Sequence, residues 1–150
     1  MSEHRTRVHW ARGAVPFSYE TYDRTHRWRF AGGRELDASA APEYRGRAEL
    51  PNPEEALVAA LSSCHMLTFL ALAARRRFVV DAYEDDAVGH LEKNADGRLA
   101  ITRVELHPHV TFSGEKRPTP EALASLHEAA HRECFIANSV RTEVSVVPAS

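Results

Sequence analysis

Asn52 to Ala74, NPEEALVAALSSCHMLTFLALAA, decides how the rest of the chain is read. Asn52 stands at a cap position, and Pro53 is the residue best suited to the first helical position. Glu54 and Glu55 fall in the first turn, where the helix dipole favours negative charge. Beyond them the run is apolar almost all round, the mark of a buried helix rather than a surface one. Cys64, one of only two cysteines, lies in its middle. The run is nearly uncharged and almost long enough to span a bilayer. Against a membrane stand Ser62, Ser63, Cys64 and His65 at its centre and its many alanines, which suit close packing against a neighbouring element. The stretch therefore predicts a long core helix and no membrane.

To either side the pattern turns to period two. Val15, Phe17 and Tyr19 alternate with polar or small residues, and His26 to Phe30 does the same, predicting two or three antiparallel strands closed by Gly32-Gly33. Leu36 to Ala40 reads as a further short strand. Ala41 to Pro51, with two prolines and a glycine, is a loop that delivers Arg45 and Arg47 to the start of the helix. After the helix, Arg75-Arg76-Arg77 places cations at the favourable end of the dipole. Phe78 to Glu92 is strand-like, and Asn94-Ala95-Asp96-Gly97 signals a hairpin. Leu99 and Ile101 have one parity and Val104, Leu106, Val110 and Phe112 the other, which predicts one long strand with a bulge or bend near Thr102-Arg103. Thr119-Pro120-Glu121-Ala122 is a cap and helix start, with Leu123, Leu126 and Ala130 on one face. Cys134 falls at or just past the end of that helix, and Thr142 to Val147 closes the chain as a strand. The order of elements is an α+β pattern in one domain, residues 1–150.

The bulk numbers narrow the function classes. A chain of 150 residues suits one domain with a core of its own. Hydrophobic and charged contents of 43% and 27% are ordinary for a globular protein. A formal net charge of −2 lacks the basic footprint of a nucleic-acid binder. The N-terminal MSEHRTRVHWARG has no apolar h-region. Two cysteines without a secretory signal predict a cytoplasmic protein whose thiols are reduced and available for chemistry.

Two constellations carry possible chemistry. In the first, Cys64 and Cys134, the two thiols of the chain, can make a thiol–disulfide pair, while a buried cysteine is also common as a packing residue. Arg45 and Arg47, in the loop entering the helix, can hold a thiolate in its charged form. Glu54 can orient an arginine through a carboxylate–guanidinium pair. Thiolate, activating cation, orienting carboxylate and resolving thiol together make a peroxidatic set. Ten residues of unbroken helix, however, separate Glu54 from Cys64 by about 15 Å along the axis. They share a site only if the helix breaks near Ser62-Ser63 or a second subunit supplies one of them. In the second constellation, His127, His131 and Cys134 at i, i+4 and i+7 fall on one helical face and match Zn²⁺ ligand types. His65, His107 and His109 are candidates for a fourth ligand, although helical histidines most often face solvent. Cys64 and His65, adjacent on a helix, point about 100° apart and do not pair directly. There is no phosphate loop or dinucleotide fingerprint, and no cofactor is expected.

Asn52-Pro53-Glu54-Glu55-Ala56-Leu57, continued by Ala59-Ala60-Leu61-Ser62-Ser63-Cys64-His65-Met66, resembles the first-cysteine helix of the OsmC/Ohr family. Arg132-Glu133-Cys134-Phe135-Ile136-Ala137-Asn138-Ser139-Val140 is similar to that family's second-cysteine segment. The resemblance covers nearly the whole chain. It implies an OsmC-like α+β fold, with antiparallel sheets wrapped around a long buried central helix in an intertwined homodimer. It also implies thiol-dependent reduction of organic hydroperoxides, recycled by an external dithiol. Carried over residue by residue, Cys64 is the peroxidatic thiolate, Cys134 the resolving thiol and Glu54 the glutamate of Asn-Pro-Glu. Arg45, between an aromatic residue and Gly46, is the activating arginine, with Arg47 in reserve. Phe135 and Ile136 depart from the proline and small residue usual in the family, and the His127/His131 pair lies outside its pattern. The alternative is a non-enzymatic metal- or small-ligand-binding protein using His127, His131 and Cys134.

Overall fold

The computed structural model describes residues 1–148. The chain divides into two compact units, residues 1–56 and residues 57–150.

The first unit is a three-stranded antiparallel meander, β1 (Thr6–His9), β2 (His26–Phe30) and β3 (Glu35–Ala38), in that spatial order. Val8, Trp28 and Leu36 face one another across the register. Gly33, at φ 88°, makes the β2–β3 turn, a left-handed conformation that favours glycine. Val15 to Tyr19, expected as a strand, is not one. Pro16 has no N–H to give a ladder, and Ser18 accepts bonds from the N–H groups of Thr21 and Tyr22, closing a turn. The alternation there serves an aromatic cluster instead, with Phe17 and Tyr22 ring centroids 5.3 Å apart and Trp10 6.0 Å from each.

The loop from Ser39 to Asn52 folds back on itself. Ser39 N–H donates to Pro51 O at 2.9 Å, and Pro42–Tyr44 forms one 3-10 turn. Gly46 passes so near Ala40 that a Cβ there would lie 1.6 Å from the Ala40 carbonyl oxygen. Asn52 caps the helix as its sequence implied, its Oδ1 accepting from Glu55 N–H at 2.8 Å. Ala38, Ser39 and Asn52 are the buried residues of this unit. Val8, Phe17, Tyr19, Phe30 and Tyr44 remain exposed.

The long helix α1 (Pro53–Arg75) runs without interruption through Ser62 and Ser63. It is long and apolar enough to cross a membrane by length and hydropathy alone. Its buried residues are Leu61, His65, Phe69 and Ala73, one stripe at every fourth position. The opposite stripe, Ala59, Ser63, Leu67 and Ala71, is exposed, with Leu67 63% accessible. The expectation of a helix buried all round thus holds for one face of the single chain.

In the second unit, β4 (Val79–Asp85) pairs with β7 (Pro108–Ser113), and β5 (Val88–Lys93), β6 (Leu99–Leu106) and β8 (Glu143–Val146) form a second sheet. The β5–β6 hairpin turns on Asn94, which bonds Arg98 through backbone and side chain, and on Gly97 at φ 75°. Opposite the hairpin, His90 pairs with Arg103 and Leu91 with Ile101. Thr102 is therefore the extra residue of a bulge, and the observed change of parity in β6 is its consequence. Two expected continuities are broken. Phe78 to Glu92 divides at Asp86-Ala87 into β4 and β5, and the chain changes sheet at His107, between β6 and β7. The closing strand β8 lies parallel to β6.

The second helix, α2 (Pro120–Glu133), is capped by Thr119, whose Oγ1 accepts from Ala122 N–H at 3.1 Å. Phe69 and Ala73 of α1 meet Leu126 and Ala130 of α2 in one core cluster, backed by Tyr83, Val110 and Phe112. Leu61 belongs to another cluster, with Val104 and Leu106 of β6. His65 lies on the helix between these two anchor points.

Candidate thiol site

Cys64 is half-buried on α1, and Cys134 is buried at the C-terminal cap of α2. Both thiols are free. The structure brings them together. Burial raises the pKa of Cys134, and the neighbouring Cys64 thiol raises it further, opposed in part by the Ala137 and Ile136 backbone N–H groups. Ala137 N–H donates to Cys134 Sγ at 3.4 Å. Cys134 is thereby held as a neutral, orientated thiol against its neighbour. Asn138 and Ser139 tie the turn after it: Asn138 N–H donates to Cys134 O at 3.0 Å, and Ser139 Oγ donates to Phe135 O at 2.7 Å.

Arg45 and Glu54 belong to the first unit. Arg45 ends the 3-10 turn at φ 65°, with its guanidinium 5.5 Å from the Tyr19 ring centroid. Arg47 is held elsewhere, its guanidinium 3.0 Å from an Asp23 carboxylate oxygen. Glu54, in the first turn of α1, lines a cavity of about 600 Å³ walled by Trp10, Phe17, Tyr22 and Tyr44. Arg24, on the same wall, gives its donors to the Tyr22 and Tyr19 carbonyls. Since α1 does not break at Ser62-Ser63, that route for bringing Glu54 to Cys64 is closed.

The histidine face of α2 is arranged otherwise than its spacing suggested. His127 is 4% exposed and faces inward, where its Nδ1 lies 3.1 Å from Nε2 of His65, itself 1% exposed. The rings are stacked, 5° from parallel, and Phe69 stacks on His127 with centroids 4.5 Å apart. Burial pushes the pKa of each imidazole down to about 4. For His65 the neighbouring His127 and His131 add to that, while Asp85 opposes it for both. Among the described residues, no three His, Cys, Asp or Glu side chains are placed to hold a metal ion. In this structure the His127, His131, Cys134 face presents no such group, because His127 is engaged with His65 and Cys134 with Cys64.

Two features went unread in the sequence. One is the His65–His127 pair, signalled by His65 occupying the i+4 stripe between Leu61 and Phe69. The other is Asp85, whose carboxylate accepts from Ser62 Oγ at 2.5 Å and His107 N–H at 2.6 Å. It ties α1 to the point where the chain changes sheet. Nothing in the local pattern around Asp85 announces that role.

Residues 46–148 match the family model for OsmC-like proteins, and the chain belongs to that family. An OsmC-like protein of unknown function from Vibrio cholerae is 46% identical, covers 99% of this chain and 100% of its own, and superposes with a TM-score of 0.95. Two distant structures share the fold. An organic hydroperoxide resistance protein from Legionella pneumophila is 17% identical, with a TM-score of 0.70, 99% of this chain and 96% of its own covered. The organic hydroperoxide resistance protein OhrB of Bacillus subtilis is 19% identical, with a TM-score of 0.70, 99% and 98% covered. No curated protein sequence matches the chain.

Proposed function

We propose that this protein reduces organic hydroperoxides through Cys64, with Cys134 as the resolving thiol. The observation that carries the reading is the approach of the two cysteines in the chain to one another across α1 and α2. The Cys64 thiolate attacks the terminal oxygen of RO–OH. The O–O bond breaks, sulfur is oxidised to the sulfenic acid, and the departing alkoxide takes a proton to become ROH. The Cys134 thiol then displaces hydroxide from the sulfenic acid, giving the Cys64–Cys134 disulfide and, with the thiol proton, water. An external dithiol reduces the disulfide and is itself oxidised to a disulfide.

In this reading the working unit is a cytoplasmic homodimer. The first unit has little buried core of its own, and the open stripe of α1, with exposed Leu67 among the small residues Ala59, Ser63 and Ala71, is largely apolar; both call for a second copy. With ten residues of continuous helix between Glu54 and Cys64, about 15 Å by helical rise, the carboxylate serving each thiol comes from the partner copy. Arg45 is its companion cation, and the aromatic cavity beside Glu54 receives the organic part of the peroxide. Cys64→Ser abolishes peroxide consumption, whereas Cys134→Ser leaves one reduction per chain and no recycling. Consumption by Cys64→Ser at the parental rate would refute the proposal.

A further inference from the structure

His65 and His127 take no part in the thiol chemistry described above, yet they are among the least accessible polar groups in the protein. Their arrangement is unusual in two respects. Among the described residues, their mutual bond is the one side-chain hydrogen bond between α1 and the body of α2, the Cys64–Cys134 approach lying at the C-terminal cap of α2. The outer nitrogens, Nδ1 of His65 and Nε2 of His127, are buried with no hydrogen-bond partner. A buried polar pair with unsatisfied ends contributes little to stability, and an apolar pair of the same shape would do as well or better. What such a pair supplies is direction. Phe69, Ala73, Leu126 and Ala130, which pack the same two helices together, make contacts that tolerate sliding along the helix axes. A single imidazole–imidazole bond at 3.1 Å does not.

The placement of the cysteines gives that direction a use. Cys64 precedes His65 on α1, and Cys134 stands two turns beyond His127 at the end of α2. The register that lays His127 on His65 is the same register that lays the end of α2 against Cys64. A slip of one turn, about 5.4 Å, would carry Cys134 out of the range of roughly 4.4–6.8 Å between Cα atoms that a disulfide requires.

We propose that the His65–His127 hydrogen bond fixes the register of α2 on α1 and thereby holds Cys134 within bonding distance of Cys64. The two histidines are positioning residues for the resolving step. This rests on the reading of Cys64 and Cys134 as a redox pair. It adds to that reading a specific control of the second half-reaction, separate from attack on peroxide.

The test uses the full-length protein and glutathione alone, without peroxide. Oxidised glutathione takes two electrons and two protons from the thiol pair, giving the intramolecular disulfide and two reduced glutathiones. The fraction closed at each glutathione ratio is read by mass after acid quenching. His65→Leu and His127→Leu each lower the equilibrium constant for closure about tenfold or more, because the thiols' effective concentration falls. His65→Gln, whose amide stands where Nε2 stood, and His127→Asn, whose amide stands where Nδ1 stood, stay within about threefold of the parent. Thermal melting of the leucine variants is unchanged or raised, which a merely structural role would not give. If either leucine variant fails to fold, His65→Asn replaces it. It keeps the polarity but falls one methylene short of His127, and the same tenfold loss is expected. Closure constants equal to the parent in the leucine or His65→Asn variants overturn the positioning role. A parent that closes readily but consumes no peroxide refutes the peroxidase reading and leaves the positioning role standing. A parent that never closes overturns both.

Discussion

Lowering the pH from about 8 to about 5 is a perturbation that falls directly on His65 and His127. In an unfolded chain each imidazole titrates near its ordinary value of 6.5, whereas in the folded protein burial holds each near 4. A group whose folded pKa is depressed in this way is neutral when folded and charged when unfolded between those values, so acid favours unfolding. The stability contribution is therefore complete above about pH 6.5, falls as the pH drops towards 4, and is constant below that. At pH 5 the difference amounts to about 2 kcal/mol for each imidazole, or about 4 for the pair taken independently. Asp85, the carboxylate acting on both rings, opposes the shift without reversing it, and His131 reinforces it for His65. The carboxylates held low, Asp23 and Glu92, lose their contributions only at lower pH. The assay is urea unfolding at fixed protein concentration. With a slope of about 1.5 kcal/mol per molar, the parental midpoint drops by roughly 2–3 M between pH 8 and pH 5. The double variant His65→Leu/His127→Leu shows little of that drop. A parental midpoint that stays flat over this range, or a double variant that falls as steeply, would refute the reasoning.

Three further outcomes follow from particular contacts. Phe69 is fully buried between His127, Tyr83 and Phe112, so Phe69→Ala should cost about 3–5 kcal/mol in chemical denaturation. Gly46→Ala has no room beside the Ala40 carbonyl and should displace the Ser39–Pro51 loop, read as a large drop in melting temperature. Leu67→Glu puts a charge on the open stripe of α1. Sedimentation should then show dissociation of the proposed dimer, and an unchanged sedimentation coefficient at all concentrations would remove that stripe from the interface.

Much of this architecture was legible where local chemistry alone decides it. Asn52-Pro53 and Thr119-Pro120 mark helix starts because their cap bonds are made within three residues. The parity change in β6 marks a bulge or bend near Thr102 because a strand keeps its alternation unless its ladder is interrupted, and the structure shows the bulge. Val15 to Tyr19 misled for the converse reason: its alternation has no partner strand behind it, and Phe17 packs instead against the Trp10 and Tyr22 rings while staying exposed. The parallel pairing of β8 with β6 depends on contacts between distant segments and leaves no local trace. At the site, both cysteines stood out by rarity. The inward turn of His127 did not, because the i, i+4, i+7 spacing of His127, His131 and Cys134 looks alike whether that face meets a metal, water or another helix.

The central claim is that Cys64 and Cys134 are one redox pair driven by peroxide. The most direct measurement adds one equivalent of an organic hydroperoxide per chain to the reduced protein, then titrates thiols and maps the product by mass. The account requires loss of both thiols per equivalent, one alcohol released, and an intramolecular Cys64–Cys134 disulfide. Thiols that survive the addition, or a product carrying an over-oxidised Cys64 beside an intact Cys134, would contradict it.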